Sequence, residues 1–351
     1  MFGIIEFNDI DNWNNIVKSF KMYDIYYLHE YVQPFKIFEK TNPLLIYYEG
    51  KNTRLCYVVH KNDIADFKPL QNAIYKNKYF DIETPYGYGG PLVENYDKND
   101  IKDFFKELNK WAVENKIVSQ FFRFHPLLRN HKYFEEFCDT KTFKQTVCID
   151  LQNEDIIYKN MNDKCRNMIK KARKSGIETV IDNSIESWCC FKELYKQTME
   201  RNNANEYYFF NKEFFEKLYS QLGSLCNLFC AKLQDKYISM ALIYECNELM
   251  HYHLSASNKD YLKFGATNIL LYEAAKYGAY KNYKSFHLGG GVGAYDGLFI
   301  FKKSFNKNNL IDFYIGRNIF NHEIYNLLML KRKELNADFD LNTSRMIGYR
   351  A

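Results

Sequence analysis

The chain has 351 residues, 46% hydrophobic and 26% charged, with a formal net charge of +5. That length suits two domains, each able to bury its own core, and the apolar fraction excludes a disordered chain. No run approaches the roughly 18 apolar residues of a membrane-spanning helix, and nine scattered cysteines without a C-x-x-C pair argue against a disulfide framework or structural zinc. The opening residues Met1 to Trp13 carry acids where a leader would be basic, so a cytoplasmic location is expected. The modest positive charge permits an anionic partner without demanding one.

In chain order, two apolar runs around Glu49-Gly50-Lys51-Asn52 predict a hairpin and the start of a sheet. The segment from Phe80 to Val93, with its Tyr-Gly-Tyr-Gly-Gly core, is too glycine-rich for a helix and reads as a shaped loop. Helical spacing of Ile101, Phe104, Phe105, Leu108 and Ala112 predicts a helix over 99–115, and 117–124 reads as a buried strand. A second cycle opens near Asp150 with a basic helix over 153–174, stopped by Gly176. Helices over 185–201 and 211–222, strands over 225–233, 238–245 and 248–256, a helix over 267–280 and a strand over 285–288 follow. A glycine cluster at Gly289, Gly290, Gly291 and Gly293 comes next, then the segment from Phe299 to Phe305, and the tail over 318–335 is helical by its apolar spacing. One α/β order met twice predicts two copies of a unit, over 1–150 and 151–316, with 317–351 returning to the first.

The glycine cluster lacks both the Gly-Lys-Ser/Thr ending of a P-loop and the dinucleotide fingerprint. His251 and His253 share a face by strand alternation, yet no third ligand stands at motif spacing, so no metal is expected. Vicinal Cys189 and Cys190 sit in an apolar helical stretch, and no serine elbow exists, which leaves a covalent nucleophile without support. What remains is one unit of strand, glycine-bearing turn and helix start: His251 to Ser257, Phe264 to Asn268, then Phe286 to Gly291. Such a unit can bind an anion or a carbonyl through exposed backbone N–H groups.

The order HLSASN, FGATNILLYEAAKYG, FHLGGG, DGLFIFKKSF resembles the second domain of Fem-type (FemABX) aminoacyltransferases, and YGYGGPL with FFRFHPLL resembles the first. The resemblance spans most of the chain. It implies an α/β (α+β) fold of two tandem GNAT-like domains, each a mixed, mainly antiparallel sheet flanked by helices, with a cleft between them. It also implies a bacterial, cytoplasmic enzyme of cell-wall biogenesis that moves an amino acid from aminoacyl-tRNA to an amine of a peptidoglycan precursor. That acceptor is nucleotide- or lipid-linked. The resemblance implies no cofactor, DNA or integral membrane segment; peripheral membrane contact and oligomeric state are left open. The alternative is N-acyl transfer from acetyl-CoA or another acyl-CoA to an amino sugar or small amine.

By the resemblance, the Phe-Lys pair of the family falls on Phe301-Lys302, with Lys302 steadying charge on the reacting carbonyl, while Lys303 is expected on the opposite face of a strand. Glu273 is a candidate proton acceptor. Substrate-binding candidates are Tyr86, Tyr88, Arg123 and His125 in the first domain. In the second they are Arg201, Tyr207, His251, His253, Ser255, Gly265, Asn268, His287, Gly289 and Gly290. Tyr207 stands where the family carries a second arginine. The basic helix offers Lys164, Arg166, Lys170, Lys171 and Arg173 to RNA, against the plain alternative of a solvated face.

Overall fold

The structure, a computed structural model, describes residues 1–293 and 295–351. Among them the chain forms β1 (Phe2–Glu6), α1 (Ile10–Lys18), α2 (His29–Glu39), β2 (Asn42–Glu49), β3 (Arg54–Asp63), β4 (Phe80–Glu83), β5 (Leu92–Glu94), α3 (Lys98–Glu114) and β6 (Ile117–Arg123). There follow β7 (Asp139–Asp150), α4 (Glu154–Asn160), α5 (Asp163–Lys174), β8 (Ile177–Ile181), α6 (Ile185–Arg201), α7 (Lys212–Leu222), β9 (Cys226–Leu233), β10 (Lys236–Cys246) and β11 (Leu249–Ser257). The chain ends with α8 (Ala266–Tyr280), β12 (Ser285–Gly289), α9 (Gly297–Lys303), β13 (Leu310–Ile319) and α10 (His322–Leu335). Two compact units divide it: Met1–Phe143 with Phe313–Ala351, and Lys144–Asp312.

In the first unit the sheet runs β1-β2-β3-β4-β6-β13, with β5 on β3. All its pairs are antiparallel except β4 with β6. The β2–β3 hairpin turns at 50–53, where Asp100 from α3 accepts from the backbone N–H of Asn52 and Thr53, each at 2.7 Å. Bonds from Thr53 first, then Asn52 and Lys51, hold this carboxyl below its ordinary range. Stacked and edge-on rings of Tyr57, Phe104, Phe122 and Phe134 fill the space between sheet and helix. The C-terminal residues close the unit: the Arg350 guanidinium grips both oxygens of buried Asp81 at 2.6 and 2.8 Å, and the Tyr349 hydroxyl donates to it at 2.8 Å.

In the second unit the sheet runs β7-β12-β11-β10-β9-β8, antiparallel except for β11 with β12. The parallel pair needs a crossover, and α8 supplies it. That helix is apolar nearly all round, with Leu270, Leu271, Ala274 and Ala275 fully buried, because α5 covers its other side with Ile169 and Ala172. The mixed, mainly antiparallel α/β class is therefore as the sequence predicts.

Two helix readings are corrected. The single helix expected over 153–174 is two, α4 and α5, since Asn162 caps the second through its side chain to the Cys165 N–H at 2.9 Å. The tail expected to be helical from Asn318 continues as β13 through Ile319, paired with β6, and turns helical only after the Asn321 cap. The strands β1 and β8 and the helices α1 and α2 were not expected at all. The units divide at Phe143/Lys144 and Asp312/Phe313, where the sequence suggests 150 and 316.

Candidate active site

In the second unit β11 and β12 are in register for three residue pairs only, from Leu249 with Ser285 to His251 with His287. Beyond that point β11 stays with β10 as far as Ser257, whereas β12 stays with β7 to Gly289. The two parallel strands thus part and leave a notch in the sheet. A bulge accompanies the parting: Leu242 faces Leu254 but Ile243 faces Tyr252, so His253 is the extra residue of β11. This interrupts the alternation behind the expected shared face of His251 and His253. His251 meets His287 edge-on at 5.6 Å, while His253 stacks on Tyr244 at 4.4 Å. Burial, with His251 beside it, pulls the His253 imidazole down to about 3, so it is neutral at physiological pH.

At the mouth of the notch the chain makes the turn Gly289-Gly290-Gly291. Gly289 has φ +73°, open to glycine without strain, and a Cβ on Gly290 would stand 2.8 Å from the Gln145 carbonyl of β7. Asp296 then caps α9, accepting from the N–H of Phe299 and of Gly293, both at 2.8 Å. Burial opposes its charge, but the N–H groups of Phe299, Gly293 and Val292 and the Lys144 ammonium outweigh it and hold the carboxyl below its ordinary range.

The segment from Phe299 to Phe305, read as a strand from the sequence, is instead the end of α9 and the residues after it. Lys302 consequently points inward by helical spacing and is 8% exposed. Its Nζ donates to the Gly290 carbonyl at 2.8 Å and lies 5.6 Å from the Tyr252 ring centre, between the strands where they part. Burial and then the Lys144 ammonium push Lys302 down to about 7, against the pull of Asp296. Lys144, which the sequence reading missed, sits in β7 and donates through Nζ to the Gly291 carbonyl at 2.7 Å. A lone lysine in an alternating strand gave no signal. Lys303, the next residue, is half-buried, and Phe301 packs edge-on against Phe305 at 5.3 Å.

Other expected residues of this unit lie elsewhere. Glu273 on α8 is bound by Arg173 at 2.9 Å and Lys276 at 3.2 Å, which makes it a pin between α8 and α5 rather than a free proton acceptor. Gly265 (φ +76°) is required by α5, for a Cβ there would stand 2.7 Å from the Met168 carbonyl. Buried Asn268 donates to Cys165 Sγ at 3.6 Å. Ser255 is half-buried on β11 beside the notch. Arg201 binds Ser257 through its carbonyl at 2.7 Å and its hydroxyl at 3.0 Å, and Tyr207 meets the rings of Tyr208 and Phe210 edge-on. On α5, Lys164, Lys170 and Lys171 are exposed, whereas Arg166 folds onto the Met161 carbonyl at 2.7 Å and Arg173 onto Glu273.

In the first unit His125 is fully buried. Its Nε2 bonds to Asp24 at 2.7 Å and its Nδ1 accepts the Leu128 N–H at 3.3 Å, so both ring nitrogens are engaged in holding the loop after β6. Arg123 binds the Thr84 carbonyl at 2.9 Å and Glu83 at 3.2 Å. Tyr86 stacks on Phe35 at 5.2 Å, and Tyr88 packs against Tyr26, His125 and Phe313.

Residues 159–297 match the family model described as acetyltransferase (GNAT) domain. No curated protein matches the chain. The crystal structure of FemX superposes with a TM-score of 0.70 at 15% identity, covering 93% of this chain and 99% of that one. A conserved protein of unknown function from Bacteroides thetaiotaomicron follows at 0.59 and 13%, covering 90% and 98%. The C-terminal domain of a protein assigned as a lysylphosphatidylglycerol synthetase from Agrobacterium fabrum superposes at 0.58 and 12%, covering 93% and 96%. The chain has the fold of Fem-type, GNAT-like transferases, and these matches support an acyltransferase.

Proposed function

We propose that this protein transfers an aminoacyl group from aminoacyl-tRNA to an amine of a peptidoglycan or other cell-envelope precursor. The observation that carries the reading is Lys302, buried in the notch where β11 and β12 part and fixed by the Gly290 carbonyl. An amine attacking an ester forms the C–N bond as the carbonyl π pair moves onto oxygen, and a fixed cation with a backbone N–H best stabilises that oxygen. Lys302 is the cation. That role requires no metal or cofactor. The likeness to FemX supports a tRNA-borne donor, and the exposed lysines of α5 offer it a backbone contact.

Acyl transfer from acyl-CoA is the second reading, favoured by the acetyltransferase description of the matched domain. The turn before α8 speaks against it. A pyrophosphate needs open backbone N–H groups there, but the Gly265 N–H is already given to the Leu262 carbonyl at 3.4 Å and the α5 backbone at Met168 lies close against Gly265. The test compares tRNA retention and acetyl-CoA binding for the wild type and Lys302→Ala. Salt-sensitive retention without coenzyme binding is expected, with aminoacyl transfer falling about 10²- to 10³-fold in Lys302→Ala. Tight acetyl-CoA binding without tRNA retention would replace this reading by the second.

A further inference from the structure

The transfer reading uses Lys302 but leaves Lys144 without a role. The two ammoniums take successive carbonyls of one turn, Gly290 and Gly291, at 2.8 and 2.7 Å. Side chains from two different elements, β7 and α9, converge there, and Gly290 must be glycine because the β7 backbone approaches so closely. Two like charges so placed oppose one another, and the Asp296 carboxylate beside them attracts both. A further titratable neighbour is the Tyr252 phenol of β11, pushed up to about 12 by burial and therefore neutral.

We propose that Lys144, acting on top of burial, is the positioning residue that turns Lys302 from a permanent cation into a proton donor for the departing oxygen. The proposal rests on the transfer reading. As the amine nitrogen bonds to the carbonyl carbon, the Lys302 ammonium faces the developing oxyanion. When the tetrahedral adduct collapses, the carbon–oxygen ester bond breaks and Lys302 gives its proton to the leaving oxygen, which departs as a hydroxyl. The neutral Lys302 amine then takes the surplus proton from the acylated nitrogen and is an ammonium again. An ordinary lysine would hold its proton too tightly for this exchange near neutral pH. Lys302, at about 7, is matched to it, and Lys144 itself is held below its ordinary range by burial.

The test reads the two lysines directly in the full chain. Lys302 is titrated by competitive acetic anhydride labelling, quantified by mass spectrometry of its peptide, in wild type, Lys144→Met and Lys144→Arg. Loss of the Lys144 charge is expected to raise the Lys302 midpoint by about one unit, a tenfold change in proton affinity, while Lys144→Arg keeps the wild-type value. In transfer assays Lys144→Met should lower kcat with KM little changed and move the alkaline limb of the pH profile up by the same amount. An unchanged Lys302 midpoint in folded Lys144→Met overturns the proposal, and so does a raised midpoint with an unmoved pH profile. If no aminoacyl donor supports transfer, the transfer reading fails, and the labelling titration still decides whether Lys144 governs Lys302.

Discussion

A buried ammonium is destabilising, and its pH dependence can be worked out for Lys302. In the unfolded chain it keeps an ordinary lysine value, whereas in the fold it stands at about 7. Between those values the unfolded state binds the extra proton, so stability rises with pH; below 7 both states are protonated and the full penalty applies. Lys302→Met should therefore raise Tm more at pH 6 than at pH 10, measured by calorimetry, and an equal gain at both would contradict the lowered value. His125 allows a second residue-scale test. It is paired with Asp24 where neither is exposed, and removing one member of a buried pair costs about 3–5 kcal/mol. His125→Ala should lower stability in urea by that order, as a holder of the loop after β6 would. The sequence could single out His125 and Arg123, since they stand at a strand end before a proline, but not that Asp24, distant in the chain, would claim His125.

At the scale of elements, long periodic segments were readable and short ones were not. Seventeen residues of α3 carry the 3.6-residue pattern several times over, but the seven of α9 hold it for barely two turns, and an inward lysine breaks the polar and apolar code. The glycine turn before α9 was visible in the sequence, whereas Lys144 was not, because its partner carbonyl lies 147 residues away. Gly265 was expected at a donor site, yet its positive φ and the Met168 carbonyl show packing of α5 on α8. Gly265→Ala should then destabilise the fold by more than about 1 kcal/mol in urea titrations. The Arg173–Glu273 pin is partly exposed on both sides, so Glu273→Gln should change stability by less than about 1 kcal/mol and leave the transfer rate within a few-fold of wild type. A loss of 10²-fold or more would restore Glu273 as a proton acceptor. On α5, replacing Lys164, Lys170 and Lys171 by Gln should flatten the salt dependence of tRNA retention by about 0.7 per lost phosphate contact.

At the scale of the whole molecule, the repeated order of helices and strands made two α/β units legible in the sequence. The exact turning points were not, because β7 and β13 each run through a unit boundary without a break in pattern. The first unit is discontinuous: β13 pairs with β6, and Tyr349 and Arg350 reach Asp81, from a segment that follows the entire second unit. Arg350→Ala, by leaving Asp81 without its guanidinium, should cost about 3–5 kcal/mol in denaturant titrations. Synthesis on the ribosome meets the same discontinuity in time. Residue 143 is made on the order of 10 to 40 s before residue 350, at about 5–20 residues per second. Until then the free edge of β6 waits for β13, while the uninterrupted second unit can already be folded. A chain that ends before β13 would therefore carry a second unit able to fold and an unfinished, aggregation-prone first one.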